Sequence, residues 1–170
     1  MGFGTTPAGT LVKEDLRLSI RRLPVAASTS VVKGQVCELD ASHYLVPSPV
    51  SRTAEVQHFV ALADADNSSG ANGAISCPLA VPGHYVTVVA DGTIRPGRRV
   101  VISGDTAGRV IEYVAASHTV DQIVGLYVGK EAGIVTKSGD TPFLETISDS
   151  ADFPPSNAAS GDIVEIVLAD

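Results

Sequence analysis

Apolar positions along this chain fall in short runs rich in Val and Ile, and nearly every run is closed by Gly, Pro, Asp or Ser. Runs of this kind follow the strand pattern rather than the 3.6-residue period of a helix. They predict strands over 31–39, 44–46, 56–62, 85–89, 99–102, 110–114, 123–128 and 163–168. Short strands at this spacing suggest sandwiches or barrels, and no long helix is expected.

Ahead of these strands, Leu16, Leu18 and Ile20 alternate with Arg17, Ser19 and Arg21, the period of a strand with one wet face. The stretch before them holds Gly2, Gly4, Thr5, Thr6, Pro7, Gly9 and Thr10, a composition too flexible to fold alone. Residues 1–30 therefore read as an extended N-terminal arm that orders by adding a strand, either to its own body or to a neighbouring subunit.

The rest of the chain shows an internal similarity, which changes the expected fold more than any single strand does. Val32-Lys33-Gly34-Gln35-Val36 matches Arg95-Pro96-Gly97-Arg98-Arg99-Val100 around a shared turn glycine. Phe59-Val60-Ala61-Leu62 matches Ile123-Val124-Gly125-Leu126, and Val86-Thr87-Val88-Val89 matches Val164-Glu165-Ile166-Val167. The offset is 63 at the glycines, 64 in the second block and 78 in the third, a jump of 14 that places an insertion at about 136–161, a stretch with Pro142, Pro154, Pro155 and little periodicity. The expectation is an all-β protein of two tandem small β-barrel or sandwich modules related by internal duplication, over 31–92 and 93–170. Asp64 to Gly73 is expected as a polar loop of the first module, and 136–161 as a long surface loop of the second.

Composition narrows the function. Hydrophobic residues make up 44% of the 170, and no apolar run reaches membrane-spanning length, so a soluble folded protein without a membrane partner is expected. The start, Met1-Gly2-Phe3-Gly4, lacks a basic n-region and an apolar h-region, which points to cytoplasmic synthesis. With 12 Lys and Arg against 19 Asp and Glu, the net charge of −7 offers no general field for a phosphate backbone, and nucleic acid is not expected as a partner. The charge is uneven. Lys13, Arg17, Arg21 and Arg22 stand against Glu14 and Asp15 in the first 30 residues, whereas 138–170 carries seven acids and no base.

Reactive groups do not assemble into a motif. His43, His58, His84 and His118 lack the close spacing of metal ligands and are expected half-exposed at strand ends or loops. Asp64-Ala65-Asp66-Asn67-Ser68-Ser69-Gly70 has acids at alternate positions like a calcium loop, but its glycine falls one place late and Ile75 stands where a bidentate carboxylate is needed. Ser103-Gly104-Asp105-Thr106-Ala107-Gly108 has the outline of a serine-protease nucleophile loop, yet Thr106 occupies the serine position, so a hairpin turn between Ile102 and Val110 is expected. Gly129-Lys130-Glu131 lacks the rest of a phosphate loop. Asn67-Ser68-Ser69 matches a glycosylation sequon and reads as part of a turn. Cys37 and Cys77 read as small buried apolar residues rather than a bridge. No catalytic residue, metal or cofactor is expected.

The run from Val32 to Val36, with Phe59-Val60-Ala61-Leu62-Ala63-Asp64 and Val86-Thr87-Val88-Val89-Ala90-Asp91-Gly92, resembles the small capsid decoration (cement) proteins of tailed bacteriophages. The shared features are a turn-glycine strand, a strand ending in Ala-Leu and a Val-rich closing strand, and the pattern returns between Ile94 and Leu168. The resemblance implies a structural virion protein on the outer capsid surface, commonly a homotrimer, that stabilises the shell by bridging subunits of the major capsid protein. Under that reading the contact residues are Leu16, Arg17, Leu18, Ile20, Arg21 and Arg22, with the arginines meeting acidic or polar capsid surface. Two rival classes remain: a host-attachment or glycan-binding module, which needs clustered aromatics where this sequence has Tyr44, Tyr85, Tyr113 and Tyr127 scattered, and an enzyme, which needs converging titratable groups.

Overall fold

The computed structural model describes residues 11–13, 21–49, 57–130 and 157–169. Thirteen strands lie in them: β1 (Leu11–Lys13), β2 (Arg21–Pro24), β3 (Thr29–Val31), β4 (Val36–Leu39), β5 (Leu45–Pro47), β6 (Phe59–Ala61), β7 (Ala65–Asn67), β8 (Ser76–Ala80), β9 (Tyr85–Val89), β10 (Arg99–Ile102), β11 (Val110–Glu112), β12 (Ile123–Lys130) and β13 (Ile163–Leu168). The one helical element among the described residues is a 3₁₀ turn at Val120–Gln122. The chain is all-β, as its pattern predicts. β13 shows why: Val164, Ile166 and Leu168 are buried, and the residues between them stay part-exposed, the alternation of a half-buried strand.

The strands form a five-stranded sheet of order β2-β8-β6-β4-β5, a six-stranded sheet of order β1-β9-β13-β12-β10-β11, and a β3-β7 pair. With β1 set aside, the two larger sheets run through one strand order. The correspondence reaches single hydrogen bonds. Gly34 N–H donates to the Ala61 carbonyl as Gly97 N–H does to Tyr127, and Ala61 N–H donates to Gln35 as Tyr127 N–H does to Arg98. Both turn glycines sit in left-handed backbone, φ 82° and 72°, where a side chain is disfavoured. Each sheet curls until its first and last strands meet at one parallel bridge, Val25 with Leu45 and Ala90 with Val110. A single bridge is not a ladder, and no sheet among the described residues closes into a barrel.

The glycine match keeps its place in this topology, the second joins corresponding strands two residues out of register because Ala61 answers to Tyr127 rather than Gly125, and the third changes. β9, expected to close the first module, pairs with β13 inside the six-stranded sheet, Val86 opposite Ile166 and Val88 opposite Val164. By strand order β9 corresponds to β2, and the counterpart of β13 is β8. β8 escapes a sequence reading because Pro78 breaks its pattern. The Pro78 carbonyl still accepts from Leu62 N–H, and its missing N–H falls where β6 has already ended at Ala61. The insertion also grows. Gly73 N–H donates to Val25 as Gly161 N–H does to Ala90; the first pair of positions is 88 apart and the second 65, so the second half carries 23 extra residues rather than 14.

From Arg21 onward the segment is part of the body: Arg21–Pro24 pairs with β8 in the first sheet, and Thr29–Val31 with β7 in the separate pair. The alternating stretch at 16–20 lies outside the described residues. Further upstream, Leu11–Lys13 adds a strand to β9 of its own chain. The polar stretch 64–73 is not all loop, since Ala65–Asn67 forms β7. Of the expected 136–161 loop, residues 136–156 lie outside the described residues, while Ala158 is buried and exchanges backbone hydrogen bonds with Ile94.

Each curled sheet encloses its own core. Val25, Val31, Cys37, Leu45, Phe59, Ala61, Ala65, Cys77 and Leu79 fill the first. Tyr127, Ile94, Ile166, Val86, Val88, Val100 and Val124 lead the second, which also takes Val36, Val60 and Ala80 from the outer face of the first sheet. Fully burying one such Val, Leu or Ile side chain stabilises by roughly 1.5–3 kcal/mol. The β10–β11 hairpin then clips onto the first sheet: Val36 N–H donates to the Gly108 carbonyl at 2.9 Å, and Gly108 N–H donates to Ser48 at 3.2 Å. A Cβ on Gly108 would stand 2.1 Å from Gln35 Cγ, and its φ is +75°, so this contact requires glycine.

Candidate contact site

Among the contact residues expected from sequence, the structure places Arg21 and Arg22 on β2; Leu16, Arg17, Leu18 and Ile20 lie outside the described residues. Arg21 pairs with Leu79 and Leu23 with Cys77, both partners being core residues, so Arg21 and Leu23 share the inward face of the curled sheet. Arg21 nevertheless remains exposed, because it stands at the open end.

There, a cavity of about 340 Å³ opens to solvent, lined by Arg21, Leu23, Leu39, Gln57, Phe59, Val81 and Pro82. Its floor is Phe59, 5% exposed, and its walls are the part-buried Leu23, Leu39 and Val81, all packed on the first core. Arg21 and Gln57 supply the polar rim. Arg21 has no ion pair with a described residue, unlike Arg95, which grips Glu112 through Nε and Nη2, and Arg109, which meets Asp91 at 3.5 Å. The arginine was visible in the sequence as part of a basic cluster. The four apolar walls come from β2, β4, β6 and the link after β8, and only topology brings them together.

The other polar groups are engaged in shaping turns. Asp91 accepts from the Ser103 hydroxyl, whose oxygen accepts from the Asp105 and Thr106 amides, and its carboxyl is held below the usual range by Ser103 first, with Thr106 and Arg109 adding to the effect. The 103–108 stretch is thus the hairpin turn its sequence suggests, with Ile102 opposite Val110. Asp64 accepts from Lys33 N–H, and Asp66 from the Ser30 hydroxyl and Ser68 N–H. Asn67 is 1% exposed, and its side-chain NH₂ donates to the carbonyls of Val25, Ala26 and Ala71, which ties the end of β2 to the loop after β7.

Two of the four histidines depart from the expected half-exposure: His58 and His84 are buried at 3% and 1%. His43 is exposed in left-handed backbone at φ 65°, and His118 stacks obliquely on Tyr113 and accepts from Val114 N–H. Cys37 and Cys77 are buried and unbridged, and burial before anything else pushes both thiols up, with Cys77 and Glu38 adding to the effect at Cys37. Tyr127 is fully buried, which removes it from any aromatic platform for sugars. Among the described residues no three His, Cys, Asp or Glu side chains gather as a metal site. No protein-family model matches the chain, and no curated protein matches it.

Proposed function

We propose that this protein is a structural virion protein that binds the outer surface of an assembled capsid as a homo-oligomer, with a trimer favoured, and stabilises the shell by bridging subunits of the major capsid protein. The observation that carries the reading is the shared strand order of the two larger sheets, down to the paired Gly34 and Gly97 turn bonds. It supports an internally duplicated module in which each copy carries the pattern that resembles capsid decoration proteins, the duplication being a departure from them, although neither sheet closes as a barrel. Two small curled sheets joined by the hydrogen bonds at Gly108 put two modules in one body, which suits a protein that works by joining neighbours. Its chemistry lies in surfaces, and Leu16, Arg17, Leu18, Ile20, Arg21 and Arg22 remain the residues proposed to meet the capsid.

The test is binding to capsid particles prepared without this chain. Purified protein is expected to co-sediment with them at a saturable, fixed ratio and to raise the temperature at which they release their contents. Removing residues 2–20 leaves β2 in place and is expected to abolish co-sedimentation while the remaining chain keeps its β-sheet circular dichroism. No binding of the full chain overturns the reading, and undiminished binding of the shortened chain overturns the role given to the N-terminal residues.

A further inference from the structure

The mouth of the first curled sheet has a composition that the capsid reading does not use. Four apolar walls, Leu23, Leu39, Phe59 and Val81, enclose space for roughly one large side chain, and the cation at the rim has no partner among the described residues. Mouths of curled β-sheets are common ligand positions, and an apolar pocket with few polar groups selects a ligand by where its charge falls. Because the chain as a whole carries −7, an exposed arginine beside an apolar opening is a local reversal of sign.

We infer that this mouth is a docking seat for an extended partner segment that carries a large apolar side chain, Phe, Leu or Met, next to a carboxylate. The apolar side chain enters between Leu23, Leu39 and Val81 and rests on Phe59. The carboxylate meets the Arg21 guanidinium, whose planar fork of donors suits two oxygens at once. Gln57, across the rim, offers an amide to the backbone of the segment. The segment does not need to join the sheet as a further strand. Val25 N–H donates to Ile75, so by alternation Arg21 and Leu23 also face β8 with their backbone groups, and Pro24 has no N–H to offer on the outer edge. Of β2 only Arg22 turns both backbone groups to the outer edge, too short a run to seat a strand, so the seat works by side-chain capture.

This inference rests on the capsid reading only for the identity of the partner, and its test does not require a particle. The full chain is titrated with N-acetyl-phenylalanine, with its uncharged amide, and with N-acetylglycine, while the methyl signals of Leu23, Leu39 and Val81 are followed by NMR. The acid is expected to shift those methyls, the amide to bind roughly three- to fivefold more weakly, as befits a partly exposed ion pair, and N-acetylglycine to leave them unmoved. Arg21→Gln, at an exposed position, is expected to bring the acid down to the affinity of the amide. Absence of methyl shifts with the acid overturns the seat. Equal binding of acid and amide, or an Arg21→Gln chain that keeps the preference for the acid, overturns the assignment of the carboxylate to Arg21. A particle-binding failure with intact probe binding overturns the capsid reading and leaves the seat standing.

Discussion

The two larger sheets share a strand order and differ in what they enclose. At the position fixed by equivalent backbone bonds, the first sheet has Ala61 and the second has Tyr127, the largest fully buried side chain among the described residues. Around Ala61 the first interior is lined with Cys37, Cys77 and Ala65; around Tyr127 the second is filled by Ile94, Ile166 and Leu168. One topology thus serves two ends. The second sheet is packed around Tyr127, and the first, packed around Leu45, Phe59 and Leu79, has a solvent-open mouth at Arg21. Backbone pairing sets the form of both, and side-chain volume sets how each interior is packed.

The strongest way to break that comparison is to empty the filled sheet. Tyr127→Ala is expected to cost about 3–5 kcal/mol in chemical denaturation, the range for deleting a buried aromatic. A loss below about 1 kcal/mol, the usual scale for surface changes, shows that the second interior is not held by its filling.

A smaller effect separates the two hairpin turns. Gly108 and His43 each stand two residues before the returning strand, Val110 and Leu45 respectively, both in left-handed backbone, at φ 75° and 65°. Gly108→Ala is expected to destabilise by about 1–2 kcal/mol from the backbone alone, and by more from the approach to Gln35. His43→Gly relieves a disfavoured conformation at the expense of a looser unfolded chain, and a net gain of no more than about 0.5 kcal/mol is expected. Equal losses for the two substitutions in thermal melts break the assignment of Gly108 as the clip between sheets.

The mildest test is acid. The first half has a β3–β7 ladder where the second has one bridge, Ile94 with Ala158. Asp66 serves that ladder, and its carboxyl is lowered from 3.8 to about 2, chiefly by the Ser30 hydroxyl and then by Ser68. A carboxyl depressed in the folded state stabilises above its unfolded value and loses that contribution as pH falls through its folded one. Between about pH 4 and 2, amide protection factors, corrected for the intrinsic exchange rate at each pH, are therefore expected to fall at Thr29–Val31 and Ala65–Asn67 before they fall in β9 and β13. Simultaneous loosening of both halves contradicts the assignment.

The sequence makes the second half easier to read than the first, for physical reasons. Tyr85–Val89, Arg99–Ile102 and Ile163–Leu168 match the expected boundaries because long Val-rich runs carry both period and propensity. β3, β6 and β7 are three residues each, too short to show alternation, and β8 is interrupted by proline. The third internal match aligned two Val-rich strands that turn out to be neighbours, since composition alone cannot tell the first strand of one sheet from the last strand of another. Arg21 stood out as a charge, whereas the pocket beside it needed the register of β2 against β8 and the curl that brings Leu39 and Val81 to one rim.

Asn67 carries a consequence for how the molecule ages. An asparagine followed by a small residue deamidates when the next backbone nitrogen attacks its side-chain carbonyl. Here the Ser68 nitrogen donates to Asp66 at 3.0 Å, and the Asn67 amide is fixed by three carbonyls in a buried setting. Ring closure must wait for this corner to open. The spontaneous isomerisation that marks old protein is thereby held off at the residue that ties β2 to its loop, for as long as the first half stays folded.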